Sequence, residues 1–267
     1  MTIGRYTRKC NRFNHVIQAG KSIMKKAGFI IILLLVVIVG CSSEKTPGSR
    51  TGIQPKAGSQ SDTTAQGEKI ALSDLANWQF LGLGMVSIDR SENALCLAES
   101  DSSKGVTLVS PKVYGTNVVV SCKVKPVTYE SVNVVIISAS DKDTGGDIRI
   151  PSDYDGNFGF WNQGSVQNYV FAFHNAAHDS KPFIMRNPGM VPLAEAETHV
   201  TRERWHDIEL GRHGSHVFMK IDGNMIIEAM DTASPQLPGG KICFRMRGTP
   251  GHNASALFKD VIISEHR

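Results

Sequence analysis

The stretch NVVVSCKVKP (117–126), followed after four residues by SVNVVIISAS (131–140), decides the fold. In the first run Val118, Val120, Cys122 and Val124 alternate with Val119, Ser121, Lys123 and Lys125. A period of two sends successive side chains to opposite faces of a strand, so one face covers a core. The second run is apolar at both parities, as suits a central strand lying between layers. Working outward, TLVSP (107–111), NYVFAFH (168–174), WHDIELGRHG (205–214), HVFMKIDGNMII (216–227), GGKICFRMRG (239–248) and ALFKDVIIS (256–264) also read as strands. Asp222-Gly223 between two such runs is a hairpin signal. No helical period longer than about two turns competes. Many short strands in roughly 200 residues predict an all-β sandwich or jelly roll, in one domain.

The 267-residue chain carries a formal net charge of +4, but unevenly. Residues 1–40 hold Arg5, Arg8, Lys9, Arg12, Lys21, Lys25 and Lys26 and no acid, which leaves 22 basic against 25 acidic groups beyond them. The basic excess therefore belongs to the N-terminus, and the rest has neither a basic stripe nor a motif for nucleic acid.

Lys25-Lys26 precede the apolar run FIIILLLVVIVG, which ends at Cys41. That order is the signature of a secretory signal, and the run is short for a membrane-spanning helix. Residues 1–40 are thus predicted to be a signal peptide, for which Met24 suffices as a start. Ile38-Val39-Gly40-Cys41 resembles the bacterial lipobox, which implies that Cys41 is lipidated and begins the mature chain. Several acyl chains on one residue give stable anchoring. The expected location is the bacterial cell envelope, and Ser42 is compatible with outer-membrane sorting. Residues 41–70 are rich in Ser, Gly, Thr, Gln, Lys and Pro, with Ile53 their one large apolar residue before the end of the segment. Such a composition cannot build a core, so it predicts a flexible tether spanning about 30 Å. The jelly-roll domain is assigned to 71–267.

Cys96, Cys122 and Cys243 lie inside β-patterned runs at no metal-ligand spacing. They read as small hydrophobes, and one disulfide among them is compatible with an oxidising envelope.

The C-terminal half carries Trp205-x-x-Ile208-x-Leu210, Lys220-Ile221-Asp222-Gly223, Gly239-Gly240-Lys241-Ile242-x-Phe244-Arg245 and Phe258-Lys259-Asp260-Val261. This is similar to the closing strands of concanavalin-like jelly rolls in bacterial sugar-utilisation proteins. With Trp78, Asn133-Val134-Val135, Asn168-Tyr169, Phe173-His174 and Arg186-Asn187-Pro188-Gly189, residues 75–264 resemble the YesU-like family of those jelly rolls. The resemblance implies a concanavalin-like jelly-roll β-sandwich and a carbohydrate context, without an assigned reaction.

Three kinds of chemistry are open. A metal site at His174 and His178 is disfavoured, since a strand feeding a loop does not place residues four apart side by side. The acidic run DKDTGGDIRIPSDYDGN (141–157) is either a solvated insertion or a structural calcium site. A glycosidase needs two facing carboxylates, and the nearest echo, Asp207-Ile208-Glu209, points away from the core. A lyase or hydrolase acting through His174 as base and Arg186 as cation has suitable residue types. For sugar binding, alternation places Asn168, Val170, Ala172 and His174 on one strand face, and Arg245 with Arg247 on that of another. With Asn133, and Trp161 as a stacking platform, these predict a concave polar groove for a polysaccharide or oligosaccharide. The alternative is that Trp161 covers the core edge and the arginines face water. Trp78 and Trp205 are expected in the core. A glycan-binding lipoprotein is the first expectation, an enzyme the alternative, and a ligand-free structural envelope protein the third.

Overall fold

The computed structural model describes residues 67–266 except 146, 198 and 199; the signal run, Cys41 and the tether up to residue 66 lie outside the described residues. One sheet is built from β3 (Gly84–Asp89), β4 (Ala94–Glu99), β6 (Asn117–Pro126), β11 (His206–His213), β12 (His216–Ile221), β13 (Asn224–Met230) and β15 (Ser255–Glu265). Its order is β13-β12-β11-β6-β15-β4-β3, and β1 (Glu68–Lys69) adds an eighth strand against β15. Among the described residues β1 is the first strand in the sequence.

The other sheet contains β2 (Gln79–Gly82), β5 (Val106–Val109), β7 (Ser131–Asp141), β8 (Val166–Asn175), β9 (Phe183–Asn187), β10 (Val191–Glu195) and β14 (Lys241–Gly248). Its order is β10-β9-β8-β7-β14-β5-β2, and all pairings in both sheets are antiparallel. Two helical turns, α1 (Leu72–Ala76) and α2 (Gly159–Asn162), interrupt the strands. The predicted hairpin forms between β12 and β13, with Asp222 at φ 51° and Gly223 at φ 79°. Both positive angles suit a tight turn whose twist matches that of its strands.

The two sheets close over one apolar layer. Val118, Val120 and Val124 of β6 face Phe171 of β8 and Phe244 of β14 across it, with Leu95, Leu210 and Phe258 among their neighbours. Trp78 joins this core, its ring 5.7 Å from Phe244. Trp205 does not: it lies half-buried on the outer face of the eight-stranded sheet, over Ala94, Cys96 and Leu257. Lys259 stands 3.9 Å from its ring and Glu92 accepts its indole N–H. Cys122 and Cys243 are free and buried, so no disulfide joins any two of Cys96, Cys122 and Cys243. Burial pushes the Cys122 thiol up to about 12.

β7 is buried on both faces, as its double parity predicts. Val135 and Ile137 face the inter-sheet core, while Val134 and Ile136 belong to a second apolar layer on the outside. Segment 142–165, between β7 and β8, supplies that layer: Ile148, Ile150, Tyr154, Phe158 and Trp161 pack across the outer face of the seven-stranded sheet. This corrects the expectation of a solvated insertion. Its apolar residues are spaced among Asp and Gly, so no periodicity betrays them.

Candidate functional site

The outer face of the seven-stranded sheet can be followed in cross-strand rows. One runs Pro192, Met185, Val170, Ile136, Cys243, Val109, Gln79, and the next Glu195, Phe183, Ala172, Val134, Arg245, Thr107, Leu81. A third, at the end of the sheet, runs Asn175, Val132, Arg247. The first two rows pass beneath segment 142–165; in the third, Arg247 is exposed.

Asp141 fastens one end of that covering segment. Its buried carboxylate accepts from the N–H groups of Asp143 and Thr144 and from Arg149 Nε at 3.1 Å. The Arg149 guanidinium holds it well below the usual carboxylate range, at about 2. Asp155 pairs with Lys104 at 2.6 Å. Asp143 shares Arg149 with Asp141, at 3.3 Å, so these acids are taken up by two cations, Arg149 and Lys104. Among the described residues no group of three or more His, Cys, Asp or Glu side chains is placed to hold a metal.

Arg245 fastens the middle. It is 2 % exposed and donates to Gly156 O at 2.8 Å, Lys104 O at 3.1 Å and Thr107 Oγ1 at 3.2 Å, under the Phe158 ring. Burial draws its pKa down. No carboxylate pairs with it. The niche exists because two glycines meet there: a Cβ on Gly156 (φ +92°) would lie 1.9 Å from Gly105 O.

Asn168 fastens the far end. Its amide donates to Trp161 O at 2.7 Å and to Val166 O, and its carbonyl accepts from Asn187 Nδ2 at 3.0 Å. Asn187 Oδ1 in turn accepts from Met190 N, closing the turn around the cis Asn187–Pro188 bond. The stretch Arg186-Asn187-Pro188-Gly189 is thus the β9–β10 turn. Trp161 is fully buried and donates to Tyr154 Oη at 2.8 Å. The expected stacking platform is corrected: the indole is a core residue of the covering layer.

His174 and Asn133 are corrected too. Simple alternation puts His174 outward with Ala172. The β7–β8 register breaks between Asn133 and Val134, where Phe173 forms an extra residue in β8. A bulge of this kind re-aims the side chains that follow. His174 therefore pairs with Asn133, which pairs with the core residue Met246. Both are fully buried on the inner side. The two His174 ring nitrogens each lie 3.0 Å from a carbonyl oxygen, of Val200 and of Tyr129. Burial lowers its pKa. Neither nitrogen is left to take a substrate proton.

Arg186 also points inward, opposite Tyr169. It donates to Asp231 Oδ1 at 3.1 Å and to Pro235 O at 2.7 Å, while Tyr169 Oη donates to the other Asp231 oxygen. Tyr169 and His174 are five positions apart along β8, about 16 Å at the rise of a strand. The structure does not bring Arg186 and His174 together.

Arg247 is the predicted residue left open. Its guanidinium makes no hydrogen bond and no ion pair among the described residues. Sequence reading missed its row partner Asn175, one position beyond the predicted strand, and the half-buried Phe183 in the neighbouring row. No local signal marks either. Along these three rows Glu195 is the only carboxylate, so no facing acid pair exists there.

The other sheet offers a recess of about 270 Å³ lined by Ser121, Lys123, Asp207, Glu209, Lys220 and Asp260 among others. Asp207 and Glu209 point outward, as the parity of Ile208 and Leu210 predicts. Each carboxylate faces a lysine: Lys123 at 2.5 Å and Lys220 at 2.7 Å. Asp260 is left without an ion pair among the described residues.

No family model and no curated protein matches this chain. Solved structures do. A protein of unknown function with a galectin-like fold from Bacillus subtilis superposes with a TM-score of 0.66 at 19% identity, over 74% of this chain and 94% of that one. The carbohydrate binding module CBM66 from Bacillus subtilis gives 0.50 at 15% identity, over 72% and 98%. A prokaryotic β-1,3-1,4-glucanase (lichenase) derived from a mouse hindgut metagenome gives 0.51 at 14%, over 75% and 98%. The fold is a two-sheet antiparallel sandwich of the concanavalin and galectin type. At these identities the likeness establishes the fold alone, shared by binding modules and glucanases.

Proposed function

We propose that this chain is a carbohydrate-binding jelly roll, held at the bacterial cell envelope by a lipid on Cys41 and associated with polysaccharide use. Its glycan meets the end of the seven-stranded sheet at the exposed Arg247, with the half-buried Val132 next to it in the row and Asn175 buried behind. The observation that carries this reading is the free guanidinium of Arg247 on the face that the covering segment leaves open. A planar fork of donors suits vicinal hydroxyls or an acidic substituent. Several of the sandwiches that share this fold are named for carbohydrate binding or carbohydrate chemistry.

Catalysis through His174 and Arg186 draws no support from their placement. A glycosidase pair would need two carboxylates roughly 5–10 Å apart across the bond, and the three rows hold one.

The test is a glycan array on the protein, then titration of the best oligosaccharide beside assays for new reducing ends and unsaturated products. Arg247→Ala is expected to weaken binding about tenfold, the scale of one charged hydrogen bond, without product forming. Undiminished binding in that variant would remove the row from the site. Turnover would establish the enzymatic alternative, and a protein that binds no glycan would end the carbohydrate reading.

A further inference from the structure

The outer face of the eight-stranded sheet ends in a row of imidazoles. His216 of β12 pairs with His213 of β11, and His213 pairs in turn with Asn117 of β6. His266 follows β15 and donates its backbone N–H to Asn117 O, so it stands on the other side of β6. Directly opposed residues in antiparallel strands share a face. Val118, next to Asn117, belongs to the inter-sheet core, which turns this row outward.

The three rings are not equivalent. His216 is engaged, its Nε2 lying 2.8 Å from Glu228 Oε1. His213 and His266 lean toward each other over Asn117, with ring centres 5.1 Å apart and planes at 73°. Neither ring makes a hydrogen bond or ion pair among the described residues, and both residues reach solvent. Phe218 stacks on the His213 ring, centres 5.9 Å apart and planes at 17°. The cross-strand partner of Phe218 is Gly211, whose missing side chain leaves room for that aromatic ring. Burial and the neighbouring imidazoles keep His213 below its ordinary pKa, so at neutral pH it offers a lone pair rather than a charge.

We propose that His213 and His266 together bind a late first-row divalent metal ion, Cu(II) most tightly, with water at its remaining positions. Imidazole nitrogen suits such ions, and copper heads their order of affinity. A ligating ring has its centre about 3 Å from the ion. Two centres 5.1 Å apart can therefore flank one ion as adjacent ligands. Each ring reaches that arrangement by a turn about its own χ2. Among the described residues no third His, Cys, Asp or Glu joins them, so the ion is held exchangeably at the surface rather than enclosed as a structural metal.

The test is titration of the tag-free full chain with Cu(II) in a non-coordinating buffer, read by calorimetry and by pulsed EPR for the remote imidazole nitrogens. One saturable equivalent with two-imidazole ligation is expected. His213→Ala and His266→Ala should each weaken it by more than about tenfold. His252→Ala, at an exposed histidine in the loop before β15, should leave it unchanged. His213→Gln keeps a polar side chain without the nitrogen lone pair and should match His213→Ala, with circular dichroism showing both folded. Zn(II) should compete at the same residues and bind more weakly. No saturable equivalent, an affinity unchanged in either alanine variant, equal loss in His252→Ala, tighter binding of Zn(II), or ligation by a single imidazole would overturn the proposal.

Discussion

At the scale of single residues, the site turns on how a few side chains are spent. Arg245 lies buried with carbonyls and a hydroxyl in place of a counter-ion, and only glycine at 156 allows the chain to approach closely enough to supply one of them. Gly156→Ala adds a Cβ 1.9 Å from Gly105 O at a positive φ. Strain at such a position costs about 1–3 kcal/mol, so a melting temperature lower by about 3–10 °C is expected in calorimetry. An unchanged value would show that segment 142–165 shifts freely. His174 makes a second prediction. Burial lowers its pKa in the folded chain below the ordinary value near 6.5. Between the two values the unfolded chain binds more protons, so stability is full above about pH 6.5 and falls as pH drops toward the folded value. Urea midpoints from pH 7.5 to 5 should show this decline, and His174→Gln should flatten it.

At the scale of elements, segment 142–165 is the unexpected feature. It converts the sheet face that simple alternation offers to a ligand into a second apolar layer. Asp141 holds the start of the segment through bonds to Arg149, Asp143 and Thr144. Asp141→Asn keeps the shape but weakens the bond to the guanidinium and the hold on two N–H groups. Amide exchange should therefore quicken across 142–165 while β6 and β15 keep their protection. Equal quickening everywhere would mean that the anchor supports the whole sandwich. β8 teaches the same lesson on a smaller scale. Its sequence alternates cleanly from Asn168 to His174, yet a one-residue bulge at Phe173 sends His174 inward.

At the scale of the whole molecule, Asp231 joins parts that are far apart in sequence. It bonds Tyr169 of β8 and Arg186 of β9, and it caps the loop leading into β14 through Ala233 N. Arg212, from the opposite sheet, stacks 5.1 Å from the Tyr169 ring and donates to Ser138, Leu237 and Pro238. Removing one member of a buried ionic group leaves the others uncompensated, at about 3–5 kcal/mol. Asp231→Ala should thus lower the melting temperature by roughly 6–20 °C, whereas Glu228→Ala, on the neighbouring exposed edge, should change it little. What the sequence determined by itself was the class of fold, the central position of β7 and the outward direction of Asp207 and Glu209, because a period of two is set by the backbone of each strand alone. It left β2, β3, β9 and β10 unmarked, since these are short or lack alternation. Only the tertiary structure decided which way His174 points, that Trp161 is core, and that Arg247 rather than Arg245 is open. Those outcomes depend on a cross-strand register and on a segment folded back from between β7 and β8, and neither leaves a periodic trace in the residues it governs.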